Sequence, residues 1–312
     1  TANAGTNAIT GVGFQPDWVW IKQRDTAAEN HNLTDSTRGT NKILNSNNTN
    51  AEVTSTSRIT TFDSDGFTLG NNNETNDSGS AYVAWCWKAG GGTTSSNSDG
   101  SQTTTVQANT AAGFSIITGT MGSSGSSTFG HGLGVAPKMI IHKVRANANA
   151  WMVYHESMGA GKEIRLNETN AATSSTTPWG NTAPTTTVYT GGNGYIANAG
   201  ANFVAYCFAE VENFSKFGTY TGNGSTNGPL VETGFEPAFL MIKMTSGTGS
   251  WFMWDNKRST TNPRKPYLYA QSSNEEADDL GGVDFLSNGF QLKDSYSYMN
   301  GNGSTFIYMA FA

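Results

Sequence analysis

The chain has 312 residues, enough for two or three domains, and only 13% of them are charged, against about 25% in a typical soluble protein. Its formal net charge of −6 gives no basic footprint for nucleic acid or an anionic membrane, and no apolar run reaches the roughly 18 residues of a membrane span. The surface is therefore read as Asn, Ser, Thr and Gly, without a nucleic-acid partner or membrane insertion.

In chain order, the first predicted element follows Pro16, as the short apolar run Trp18-Val19-Trp20-Ile21 closed by Lys22. The same pattern returns after Pro137, as Met139-Ile140-Ile141-His142-Lys143, and after Pro237, as Phe239-Leu240-Met241-Ile242-Lys243. Lysine follows proline by 6 residues each time, and proline precedes the opening aromatic of a closing strand by 66, 66 and 69 residues (Tyr82, Phe203, Phe306). Such a period predicts one folding unit used three times. Short β-branched and aromatic runs bounded by proline and polar loops read as strands.

A second strand follows each lysine: Asn32 to Asp35, Trp151 to His155 and Trp251 to Asp255. A third centres on Leu44, Leu166 and Leu268. Phe62–Leu69 and Phe285–Leu292 then read as hairpins with Asp-Gly and Asn-Gly turns, and Trp179–Tyr195 takes their place in the second copy. Copies two and three also carry a leading strand, Phe114–Gly119 and Phe217–Gly222, whose counterpart in copy one would precede Thr1, so the first copy is expected to lack it or to borrow one. No segment reads as an amphipathic helix.

The fold is therefore predicted as all-β, three tandem jelly-roll-like β-sandwich repeats, with immunoglobulin-like strand orders also open. The divisions are 1–89, a flexible Gly/Ser/Thr linker at 90–107, then 108–210 and 211–312. The shorter junction Glu210–Lys216 predicts that copies two and three are held together more rigidly than copies one and two. Cys86 and Cys207, at equivalent positions in separate units, read as unpaired thiols.

Chemistry-bearing patterns are sparse. His31, His131, His142 and His155 show no metal-ligand spacing, and the Gly-rich runs do not lead into a helix as a phosphate loop must, so no metal or cofactor is expected. The carboxylate pairs Asp63/Asp65, Glu275/Glu276 and Asp278/Asp279 are sequence neighbours, not the opposed pair that glycoside hydrolysis needs, so the chain is read as non-enzymatic. His155 stands where the other copies have Asp35 and Asp255. Those two aspartates are expected to bridge locally to Arg38 and Arg258. The remaining signal is aromatic. Trp151, Tyr154, Trp179, Trp251 and Trp254, with His155 and Asp255, form a candidate glycan platform, because flat rings pack on the C–H face of a sugar while polar groups take its hydroxyls. Trp179, between Pro178 and Gly180, is the expected exposed ring.

GFQPDWVWIK (13–22), LTDSTRG (33–39), FDSDGFTLG (62–70), YVAWCWKAG (82–90), GHGLGVAPKMIIHK (130–143), FVAYCFAEVENFSKFGTYTGNG (203–224) and FLSNGFQLK (285–293) together resemble virion proteins of tailed bacteriophages, especially marine and cyanobacterial ones. The resemblance covers nearly the whole chain. It implies a tail-fibre-like appendage, extracellular and virion-borne, with a structural or receptor-binding role and no catalytic residue. It further implies partners among other virion proteins and copies of itself, as a trimer or polymer, with a host-surface glycan as ligand. The alternative is a purely structural decoration or filament subunit, joined by strand donation at Thr1–Gly13.

Overall fold

The computed structural model describes residues 5–123, 125–192 and 199–312. It is nearly all β, with 41% of residues in strands, 3% helical, several antiparallel sheets and no barrel. Among the described residues the helices are two single turns, Asn73–Asn76 and Ser297–Asn300, and no helix there is long and apolar enough to cross a membrane.

Each proline-lysine segment forms a strand flanked on both sides. Trp18–Gln23 lies between Asn32–Asp35 and the closing strand Tyr82–Trp87. Met139–Val144 lies between Met152–His155 and Asn202–Phe208. Phe239–Met244 lies between Trp251–Asp255 and Thr305–Phe311. The registers correspond: Trp18 opposes Asp35 and Trp87, Met139 opposes His155 and Phe208, and Phe239 opposes Asp255 and Phe311. Proline precedes the first ladder donor in each case. The N–H groups of Asp17, Lys138 and Ala238 bond the carbonyls of Trp87, Phe208 and Phe311 at 2.6 to 2.8 Å, so proline removes no ladder bond.

These strands are buried on both faces, which is why they read as continuous apolar runs rather than alternating ones. Along the first, Val19 and Ile21 face an outer layer formed by Ile59, Phe67 and Leu69. Ile140 in the second strand, and Leu240 and Ile242 in the third, likewise face outer clusters of their own. The outer layers contain the two hairpins, with Phe62 opposite Phe67 and Phe285 opposite Phe290. Gly66 and Gly289 are needed for close approach: a Cβ there would stand 1.9 Å from the Ile9 carbonyl oxygen and 2.1 Å from that of Val231. In the second third, Val188–Gly191 pairs with Ser127–Gly130 at this place. Residues 193–195 of the stretch read as the substitute hairpin lie outside the described residues.

The opposite faces meet in a core shared by all three thirds of the chain. Trp18, Trp20 and Trp87 join Met139, Tyr206 and Phe208, and Phe239, Met241 and Phe311. Trp18 stacks on Tyr206 at 4.1 Å, and Trp87 places its ring 6.4 Å from Phe208, 5.9 Å from Phe239 and 6.1 Å from Phe311.

One expectation is corrected. Residues 90–107 are not a flexible linker. Ser95–Asn97 and Thr104–Asn109 are strands that extend the second sheet, and the Asp17 carboxylate takes the N–H groups of Ala89, Gly91 and Gly92, each at 2.8 Å. Gly, Ser and Thr carry the same backbone donors and acceptors as any residue, and here every element around them offers a partner. At the N-terminal end, Asn7–Thr10 pairs within the chain with Gly66–Leu69. Residues 1–4 lie outside the described residues.

Candidate functional site

All seven glycan-platform residues are interior. Relative exposure is 0% for Trp151 and Trp254, 1% for His155, Trp179 and Trp251, 3% for Tyr154 and 5% for Asp255. Trp179, expected to be the exposed ring, packs edge-on against Tyr154 and Tyr189. Trp254 stacks on Phe252 at 5.3 Å. No ring of this set presents a face to a sugar. The physical reason is that these strands are sandwiched between two cores, so both alternating faces are interior.

What the set does instead is join thirds. Trp151 donates its indole N–H to the Asn45 carbonyl at 2.8 Å, and Trp251 donates to that of Arg165 at 2.9 Å. His31 takes the ladder position of these tryptophans, just before Asn32–Asp35. Its Nδ1 accepts from the Trp20 indole at 2.8 Å, which leaves the proton on Nε2, facing the carbonyls of Tyr269 at 3.0 Å and Ser272 at 3.1 Å. The order is cyclic: second to first, third to second, first to third. Backbone donors run round the same three seams in the opposite sense. Glu52 N–H bonds the Arg145 carbonyl, Ala172 that of Thr245, and Glu276 that of Arg24, at 2.8, 3.0 and 2.8 Å.

The row Asp35, His155, Asp255 sits at these seams. At the seam of first and second thirds, Asp35 holds Arg38 at 2.5 Å and accepts from the Tyr206 hydroxyl at 2.8 Å. Arg38 passes on to Glu52, which also holds Arg145. At the seam of third and first, Asp255 holds Arg258 at 2.6 Å and accepts from the Trp85 indole at 3.1 Å. Arg258 passes on to Glu276, which also holds Arg24. The local bridges read from the sequence are present, each extended into a chain crossing the seam. Burial acts to raise Glu52 and Asp255, and the arginines beside them outweigh it, so both carboxyls lie below their ordinary range.

The seam of second and third thirds carries none of this charge. His155, Met158, Ala172 and Thr245 stand at the corresponding places, and His155 Nε2 meets the Tyr308 carbonyl at 3.1 Å. Burial lowers His155 to about 4, so the ring is neutral near pH 7, and the carbonyl contact makes Nε2 the protonated nitrogen.

The recurrent lysine is structural as well. Lys22, Lys143 and Lys243 are fully buried, and each ammonium bonds the carbonyl of the next residue at 2.6 to 2.8 Å. Lys143 also reaches the Thr49 carbonyl, and Lys243 those of Thr169 and Asn170, in the preceding third. Burial lowers Lys22 and Lys143 to about 8 and Lys243 to about 7. The lysine spacing was visible in the sequence. Its role at the seams was not, because the carbonyls it meets are distant along the chain. Both cysteines are unpaired, and burial pushes Cys86 up to about 12. Among the described residues no three His, Cys, Asp or Glu side chains are grouped to hold a metal ion.

The whole length, residues 1–312, matches a single family, described as a domain of unknown function (DUF7483). The chain belongs to that family. No curated protein and no solved structure matches it.

Proposed function

We propose that the chain is a non-enzymatic structural element of an extracellular virion appendage, built as three tandem β-sandwich repeats closed into one threefold block. The observation that carries this reading is the cyclic set of seams. At positions common to the three copies, Lys143 and Lys243, the row Asp35, His155 and Asp255, and the rings His31, Trp151 and Trp251 bond one third to the next. Side chains held in common for assembly are what a structural block needs. An active site would concentrate them at one place.

On this reading one polypeptide supplies the threefold that ordinary tail fibres build from three. The partners are other virion proteins, and contact with a host-surface glycan falls to exposed loops rather than to the buried aromatic set. Imaging of the native particle tests it, with one compact three-lobed block per chain on an appendage as the expected result. Absence of the protein from purified particles overturns it. Adsorption of the purified chain to host cells tests the receptor role separately, and unchanged adsorption after loop substitutions removes that role while leaving the structural one.

A further inference from the structure

The closing strands differ in one respect. Asn202–Phe208 is paired on its far side by Phe114–Thr120, and Thr305–Phe311 by Ser215–Thr221, each over seven residues. Tyr82–Trp87 ends its sheet, with Trp18–Gln23 as its single neighbour among the described strands. The Arg24 N–H bond to the Ala81 carbonyl at 2.8 Å sets the ladder alternation. The N–H and C=O groups of Val83, Trp85 and Trp87 therefore face Trp18–Gln23, and those of Tyr82, Ala84 and Cys86 face outward.

The packing behind this edge is short of material. The outer cluster of the first third has 5 buried residues among those described, Val19, Ile21, Ile59, Phe67 and Leu69, where the other two have 16 each. Ile9, Phe62, Tyr82 and Cys86 beside it are only partly buried. Ala84 is exposed, whereas Ala205 and Tyr308, at the same register, are 0% and 5% exposed. Natural edge strands are usually guarded by lysine, proline or a bulge, and Tyr82–Trp87 carries neither residue and pairs in unbroken register.

We propose that the Tyr82–Trp87 edge is an acceptor for an antiparallel β-strand donated by another polypeptide, in the register that Phe114–Thr120 and Ser215–Thr221 occupy in the other two thirds. Those strands give the donor's chemistry. Opposite the axial-facing Trp85, the counterparts are Ile116 and Phe217, so an apolar side chain completes the shared core. Opposite Val83 both have threonine, Thr118 and Thr219. Opposite the outer-facing Ala84 and Tyr82, Ile117 and Tyr220 fill the outer clusters. The donor is an extended, largely uncharged segment with at least one large apolar residue on each face. No described strand of a second copy is spare for this role, since each is paired in its own chain. The inference deepens the structural reading above and stands on the edge geometry whether or not the assembly is a virion.

The test uses the 312-residue chain with fluorescent peptides of sequence FSIITGT and SKFGTYT, and a scrambled control. Expected are one-to-one binding of at least one native peptide, a rise in Tm, and slowed amide exchange confined to the outward groups of Tyr82, Ala84 and Cys86. The Ala84→Pro variant removes an outward N–H and leaves the inner ladder intact, so it should fold and bind at least tenfold more weakly. Should Ala84→Pro fail to fold, Ala84→Lys, which guards the edge without touching the backbone, takes its place. Binding of neither peptide, or binding indifferent to both substitutions, overturns the proposal. Self-association of the chain through this edge makes a second copy the occupant, and a longer polypeptide whose Tyr82–Trp87 amides are already protected without peptide makes the strand its own; either overturns donation by another polypeptide.

Discussion

The seam between first and second thirds and the seam between second and third perform one task with opposite chemistry. The former runs Asp35, Arg38, Glu52, Arg145 through a buried chain of ion pairs. The latter places His155, Met158, Ala172 and Thr245 at the same positions, with a histidine-to-carbonyl contact in place of the ion pairs. Four changes that look unrelated along the sequence form one exchange in space. Each makes sense only with the others, because removing one member of a buried ion-pair chain leaves the rest uncompensated. The ion-pair chains lie at the seams of first with second and of third with first thirds.

The comparison breaks most sharply at Arg38. Arg38→Met should destabilise the fold by about 3–5 kcal/mol, because Asp35 stays buried without its cation while Glu52 keeps Arg145 alone, and denaturant titration reads this directly. Next is the lysine common to all thirds. Lys143→Met should cost about 2–4 kcal/mol, as three carbonyls lose their donor; a change below about 0.5 kcal/mol would show that those bonds are dispensable.

Acid separates the seams. An unfolded histidine takes up its proton near pH 6.5, whereas folded His155 resists until about 4. The unfolded state then binds more protons, and stability falls as pH drops through that window, by about 3 kcal/mol from this residue. Asp255, held below its ordinary value, keeps its contribution through the same window and loses it only as pH falls below the unfolded carboxyl range. His31 and His142, each lowered by burial to about 3, add slope of the same sign. His155→Asn should therefore flatten the Tm profile between pH 6.5 and 4 without abolishing the slope, and an unchanged profile would count against a buried neutral His155.

The smallest effect sharpens the comparison furthest. Importing the second seam into the first, with Asp35→His, Arg38→Met, Glu52→Ala and Arg145→Thr together, should change stability by less than about 1.5 kcal/mol, since apolar replacement of a whole buried ion network is often neutral. Stability near that of Arg38→Met alone would show that the seams are not interchangeable.

Much of the framework was legible. The proline-to-lysine runs, the second strands and the Phe62–Leu69 and Phe285–Leu292 hairpins all stand where the sequence places them. The row Asp35, His155, Asp255 was legible as a polar position and its local arginines as partners, but Tyr206, Trp85 and the Tyr308 carbonyl were not, because they approach from another third. The aromatic platform was misread for a related reason. Period-two alternation assigns one face to solvent, and Met152-Val153-Tyr154-His155 has no solvent face. The available signal was the absence of alternation in Trp18-Val19-Trp20-Ile21 and its counterparts, which marks a layer covered on both sides. Composition misled at 90–107, where Gly and Ser suggested slack and the backbone instead forms strands.

The cyclic seams have a genetic consequence. A ring made of three identical subunits receives every mutation three times at once, and a change tolerable at one contact must be tolerable at all. Here each contact is encoded separately. His155, Met158, Ala172 and Thr245 stand together at one contact while the other two carry the charged arrangement. Encoding the three contacts in one reading frame leaves each free to change by itself, and one of the three differs from the other two at all four positions.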